Sequence, residues 1–406
     1  MAAPSVKVVF AFDQDAGGST NFFTLDDTVK GVLDNTTYTL GGDFSLVDVT
    51  AYVRAVSVNR GRSRILDKVQ SGSANILLDN RLRLFDPTAG TAVSPYANSI
   101  VPRKNVTIAV NDEPVFTGLV DDWNLDYSPD NDNTTGAVCA DGFVTLAQVN
   151  MPTTVQAAQL SGARITSILD VADWPTSKRN IDTGAVTLQA DTPSGSTNVI
   201  DYISTISDTE FGVFYMSRDG LATFEDRNAL QNFGTATLFG GTGIPISGVQ
   251  IDYGTEQLYN DITVSRVNGG TAVASDATSQ TKYGISERTK SGLLFNNDTQ
   301  LDELADYLLS LYKNSTFRIT SVDVVMNGLT SDQQATVARL DISDPVQVTF
   351  TPSVGSAITQ FGIVDRIQHN ATPAAHRVTL SLSQAQPSFI LDSSVFGVLD
   401  DDVLGF

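Results

Sequence analysis

Apolar and polar residues alternate over short runs along most of the chain, which is the period of strands with one buried face. The clearest runs are Thr50–Val58 (Tyr52, Val56 and Val58 against polar or small neighbours), Ser73–Leu78, Val106–Val110, Val249–Tyr253, Asp261–Val267, Phe317–Met326, Val346–Phe350 and Arg377–Leu382. Elsewhere the spacing turns helical. Ile165, Ile168, Leu169 and Ala172 form one stripe, ended by Trp174-Pro175, and Val199, Ile203 and Ile206 form another over 197–207. Arg218-Asp219-Gly220 between the runs Phe211–Met216 and Leu221–Phe224 predicts a hairpin, because Asp-Gly supplies the positive φ of a tight turn. Leu301, Leu304, Ala305, Leu308, Leu311 and Tyr312 predict a third helix over 299–313, opened by a Thr299-Gln-Leu-Asp302 cap. Residues 233–248 read as a Gly-rich linker and 268–297 as a long exposed loop, since Gly, Ser and Thr crowd both.

One pattern occurs twice. Val106–Val110, an Asn-Asp-Glu-Pro turn, and Val115-Phe116-Thr-Gly118-Leu-Val120-Asp121-Asp122-Trp123 make the first copy. Val346–Phe350, a longer turn, and Gln360-Phe361-Gly362-Ile363-Val364-Asp365-Arg366-Ile367 make the second. Gly118 and Gly362, Val120 and Val364, and Asp121 and Asp365 share one spacing of 244 residues. Two copies so far apart indicate two domains of one kind, whereas a solenoid repeats every 20–50 residues or so. The fold expected is mainly β: two related antiparallel barrel or sandwich domains plus a small α/β domain. The boundaries expected are 1–154 for the first with an N-terminal extension, 155–232 for the insert, 233–387 for the second, and 388–406 for a C-terminal tail whose apolar residues suit docking.

Composition narrows the chemistry. The chain has 406 residues, a net charge of −21, a single cysteine and two histidines. A field of that sign repels phosphate backbones and argues against nucleic-acid binding. Cys139 alone excludes an internal disulfide and fits a chain made in a reducing cytoplasm. No apolar run approaches the ~18 residues of a membrane span, and no secretory leader is expected. His369 and His376, on either side of a turn, read as ordinary hairpin-end residues; a metal site would need further ligands. Asp13-Gln-Asp15-Ala-Gly17-Gly18 starts like a calcium loop but carries Thr24 where the bidentate Glu belongs. Asp121 and Asp365 are the best-placed carboxylates. As equivalent members of a repeat they suit scaffold roles better than a catalytic pair. Gly118 and Gly362 suggest a bulge or a close backbone approach. No catalytic residue, metal site or cofactor is expected. Arg60, Arg62 and Arg64, the one dense basic cluster, are candidates to grip an acidic partner.

Several stretches in order carry a family likeness: Asp48–Val53, Arg60-Gly-Arg-Ser-Arg64, Leu78-Asp-Asn-Arg81 with Phe85-Asp-Pro87, Phe116–Trp123, Ser161–Ile165, Arg218-Asp-Gly220 and Leu258-Tyr-Asn260. With them the chain resembles the hub-type minor tail proteins of tailed bacteriophages. The resemblance implies two tail-tube-like domains per chain and a homotrimer that adapts a six-fold tube to three-fold symmetry. It implies a place at the virion tail tip, with a distal tube ring, a tape-measure protein and other tail-tip proteins or fibres as partners. DNA would pass only in transit, through an acidic lumen. Two other functions stay open at this point. One is a carbohydrate-binding receptor module, with exposed aromatics such as Tyr96 and Trp123 in a groove; the other is a carboxylate-dependent cell-wall hydrolase.

Overall fold

The computed structural model describes residues 3–13, 28, 44–64, 66–231 and 235–384. The run Phe22–Leu25, the calcium-like stretch beyond Asp13 and the tail 388–406 lie outside the described residues. Among the described residues seven strands come first: β1 (Val6–Asp13), β2 (Phe44–Asp48), β3 (Val53–Gly61), β4 (Gln70–Asp79), β5 (Asn105–Val110), β6 (Glu113–Asp126) and β7 (Thr134–Ala140). They lie in the order β3-β4-β7-β6-β5-β1-β2, each pair antiparallel. Their alternation sends Val56, Val58, Ile76, Leu78, Val106, Ile108, Val120 and Ala137 into one core.

A second layer follows. It holds α1 (Phe143–Leu146), β8 (Gln159–Leu160), α2 (Ser161–Val171), β9 (Arg179–Ile181), β10 (Thr187–Leu188), α3 (Val199–Glu210), β11 (Val213–Met216), β12 (Ala222–Glu225) and α4 (Arg227–Gln231). Both predicted helices and the Asp-Gly hairpin form, the latter pairing Met216 with Ala222. The supposed linker contains β13 (Thr237–Gly240), and β14 (Gly248–Tyr253) follows it.

The stretch 268–297 is not the expected loop. After β15 (Asp261–Arg266) it forms β16 (Thr271–Ser275), α5 (Ala277–Tyr283) and β17 (Glu287–Leu293), leading to α6 (Thr299–Tyr312). Thr271, Ser275, Thr289 and Ser291 occupy a solvent face, while Ala272, Ala274, Leu293, Leu294 and Phe295 are buried. These elements share one core with α2 and α3, built from Ile165, Leu169, Ile203, Ile262, Val264, Leu304 and Leu308. The expected Thr299 cap is also corrected. Thr299 is already helical, and Asn297 Oδ1 accepts from the Gln300 amide at 3.0 Å.

The chain returns with β18 (Phe317–Val325), α7 (Ser331–Arg339), β19 (Pro345–Phe350), β20 (Ile358–Ala371) and β21 (His376–Gln384). Their order is β14-β18-β21-β20-β19-β13, which repeats β3-β4-β7-β6-β5-β1 strand for strand. The one reversal is β13, which runs parallel to β19 where β1 is antiparallel to β5. The two sheets are not separate. β20 pairs with β3, giving among the described residues a single 13-stranded sheet that does not close into a barrel.

Candidate functional site: the seam and its open counterpart

The repeated motif has the same backbone geometry in both copies. Gly118 sits opposite Val106, and Gly362 opposite Val346. A Cβ on Gly118 would lie 2.3 Å from the Ala140 carbonyl, and one on Gly362 2.9 Å from that of Ser383, so both are close-approach positions. The register slips between Val120 and Asp122 and between Val364 and Arg366, which makes Asp121 and Asp365 the bulged residues. The bulge lets each strand leave one neighbour and run on beside another. Just before each motif, Arg103 (φ 69°) and Ser343 (φ 73°) are left-handed. Their amides donate to the Val120 and Val364 carbonyls at 2.6 and 2.8 Å. The Val120 and Val364 amides donate back to Lys104 and Asp344 at 2.8 and 3.0 Å. Phe116 is fully buried, whereas its counterpart Gln360, like Phe361, is only half-buried.

Beyond Asp365, the free side of β20 is taken by β3: Ile367 opposes Arg60, Gln368 opposes Asn59 and His369 opposes Val58. The Arg62 amide donates to the Asp365 carbonyl at 2.9 Å. Gly61, at φ 110°, is pressed so closely that a Cβ would fall 2.0 Å from that carbonyl. Side chains lock the seam. Arg62 Nε donates to Asp365 Oδ1 at 2.8 Å, with both groups buried, and Ser383 Oγ donates to Asp365 Oδ2. Arg60 Nη1 reaches Asp341 Oδ1 at 2.7 Å. Asp341 Oδ2 accepts the Arg218 amide at 2.8 Å, tying in the Asp-Gly hairpin. Burial pushes Asp141, beside Arg60, up to about 6, against the opposing pull of the Phe143 and Gly72 amides, Ser71 and Arg60. The turn between β5 and β6 closes the far end of the seam on α7. Asn111 Nδ2 donates to Gln334 Oε1 at 2.8 Å, and Arg339 Nε to Glu113 Oε1 at 2.8 Å. Arg60 and Arg62 thus hold acidic groups of their own chain, which opposite charge at this spacing allows but sequence alone could not place. Arg64 is half-buried and bonds Glu256.

The first copy of the motif has no such neighbour. Past Asp121, strand β6 continues from Asp122 to Asp126 with no strand on its outer side among the described residues. Its Trp123 amide is met by Asp122 Oδ1 at 2.9 Å instead of by a strand. Asp121 is exposed, with Arg103 4.0 Å away. At the opposite end of the sheet one edge of β14 has no strand beside it among the described residues.

The remaining sequence candidates have structural roles. His369 Nδ1 and His376 Nε2 lie 3.1 Å apart and buried; burial and the neighbouring imidazole depress His369, and burial lowers His376 to about 4. Burial, and then Asp121, push the Cys139 thiol up to about 12, leaving it inert. Tyr96 packs on Phe12 and Phe85, and Trp123 packs on Phe10 while its Nε1 donates to Val101 O at 3.0 Å. No group of three or more metal-ligating side chains occurs among the described residues.

No family model matches the chain, and no curated protein matches it. Solved structures do. A tail protein from Neisseria meningitidis MC58 aligns over 94% of this chain and 96% of its own, with a TM-score of 0.59 and 13% identity. The 43 kDa tail protein of prophage MuSo2 from Shewanella oneidensis aligns over 84% and 94%, with a TM-score of 0.56 and 14% identity. The E. coli c3393 protein aligns over 82% and 73%, with a TM-score of 0.51 and 8% identity. It is described as a component of the type VI secretion system, structurally similar to T4 bacteriophage tail proteins gp27 and gp5. The likeness read from the sequence holds at the level of fold, over nearly the whole length: this chain has the mainly β fold of phage tail proteins.

Proposed function

We propose that the chain is a structural protein of a tail tip, a hub whose three copies close a ring of six similar sheet units. The observation that carries this is internal. One chain already contains two units that share one order over six strands, joined edge to edge by a contact that is not two-fold. A contact of that kind, repeated with the right rotation, generates a closed ring. Such a ring presents six units to a six-fold tube on one side and three copies of the α/β layer on the other. A distal tube ring, a tape-measure protein and further tail-tip proteins are the partners it would fit.

The face of the sheet opposite the core supports a channel lining. Small polar residues such as Asn75, Asn124 and Asn370 alternate with the core positions. Asp122, Asp126, Asp252 and Asp323 lie on it against Arg318, Arg366 and Arg377, which leaves this set acidic by one charge. A surface of that sign would let DNA slide past without sticking. The motif carboxylates act as scaffold, Asp365 by pairing with Arg62, and we assign no catalysis to them. Sedimentation of the full chain tests the reading. It should show a three-copy species, and a monomer at every concentration would overturn it.

A further inference from the structure

The occupied seam specifies what should fill the empty one. In the first unit Ile76 lies between Ala137 and Val56; in the second Val322 lies between Leu380 and Val249. Val249 therefore stands where Val56 stands, and β14 is the second unit's β3. By the shared spacing of the motif, Asp122–Asp126 of β6 stands where Arg366–Asn370 of β20 stands. Inside the chain, β3 covers that stretch of β20. Both counterparts have no strand beside them among the described residues.

The geometry points to β14 of one copy pairing antiparallel with Asp122–Asp126 of the next copy, in the register of the internal seam. This rests on the ring reading above and names its contact. Leu125 would oppose Ile251, as His369 opposes Val58; Asn124 would oppose Asp252, as Gln368 opposes Asn59; and Trp123 would oppose Tyr253, as Ile367 opposes Arg60. Three further observations agree. Gly254 occupies the place of Gly61, and where Gly61 is pressed on the Asp365 carbonyl, Gly254 has open space around it. Tyr253 and Tyr127, at the two bare edges, are 71% and 50% exposed. The turn between β19 and β20, equivalent to the one seated on α7, holds Val354 at 87% exposure. Strand edges with complementary unpaired groups are pairing templates, and a ring removes both at once. On docking, Asp122 must release the Trp123 amide it now holds.

Disulfide trapping tests the register. Asn124→Cys with Asp252→Cys in one chain places the thiols directly opposite across the proposed contact, within disulfide reach. Asn124→Cys with Gln250→Cys places them about 7–8 Å apart on the diagonal, beyond it. Native Cys139 is buried and does not compete. The first pair should oxidise to a covalent trimer, at least tenfold more than the second. Trimers by sedimentation without cross-linking at 124 and 252 would overturn this contact and leave the hub reading standing. Monomers throughout would overturn both. Slow amide exchange of Trp123–Asp126 and Val249–Tyr253 in a monomer would show the chain covering its own edges, which also overturns the contact.

Discussion

The two motif copies share a backbone but differ in what lies beyond the bulge. At Asp365 the strand meets β3, and the chain invests an ion pair, a buried serine hydrogen bond and a glycine pressed on a carbonyl. At Asp121 the same bulge leads to backbone with no neighbouring strand among the described residues and to an exposed carboxylate. The shared part (glycine, bulge, left-handed residue) builds the unit, and the unshared part reports whether a neighbour is already present within the chain. A repeated residue thus takes its energetic weight from the partner and not from the motif.

Substitution at equivalent places should separate the two sites. Arg62→Ala leaves Asp365 buried without its cation and should lower unfolding free energy by about 3–5 kcal/mol in urea melts. Asp121→Asn, at the counterpart, should change it by no more than about 0.5 kcal/mol. Equal effects would erase the distinction between the two sites.

The histidine pair gives the seam a pH dependence that its counterpart lacks. Above about pH 6.5 both imidazoles are neutral in folded and unfolded chains. As the pH falls below that, the unfolded chain binds protons first, because burial holds His376 at about 4 and His369 well below its ordinary value. Stability therefore falls from about pH 6.5 to 4, by on the order of 3 kcal/mol for His376 alone. The equivalent places hold Leu125 and Asn133. His369→Leu with His376→Asn should flatten that part of the stability–pH curve, measured by denaturation at a series of pH values.

Glycines give a smaller and sharper contrast. Gly61→Ala forces a Cβ onto the Asp365 carbonyl at a positive φ and should destabilise the fold by about 1–3 kcal/mol. Gly254→Ala should leave the melting temperature of the single chain unchanged but reduce the trimer fraction in sedimentation.

Much of this architecture is legible in the sequence. Strict alternation at Val106–Val110 and Val346–Phe350 gave strands, and the shared spacing of glycine, valine and aspartate identified equivalent units. Helix α6 followed from its Leu301–Leu304–Leu308 stripe. Helix α7 was missed, although Thr330 and Gln333 form a reciprocal capping box, because the helix is short and largely polar outside Val337 and Ala338. The stretch 268–297 was misread because small β-forming residues on a solvent face look like loop composition. The seam itself was not legible. Arg60 and Arg62 read as a surface cluster, since nothing local says that Asp341 and Asp365, some 280 to 300 residues away, will neutralise them.

The most direct test of the central claim is a cryo-electron microscopy reconstruction of the assembled full chain. The expected result is a three-chain ring in which β14 of each copy extends the sheet at Asp122–Asp126 of the next, giving six like units around an axial opening. A two-fold dimer, or a ring with both edges still facing solvent, would contradict it.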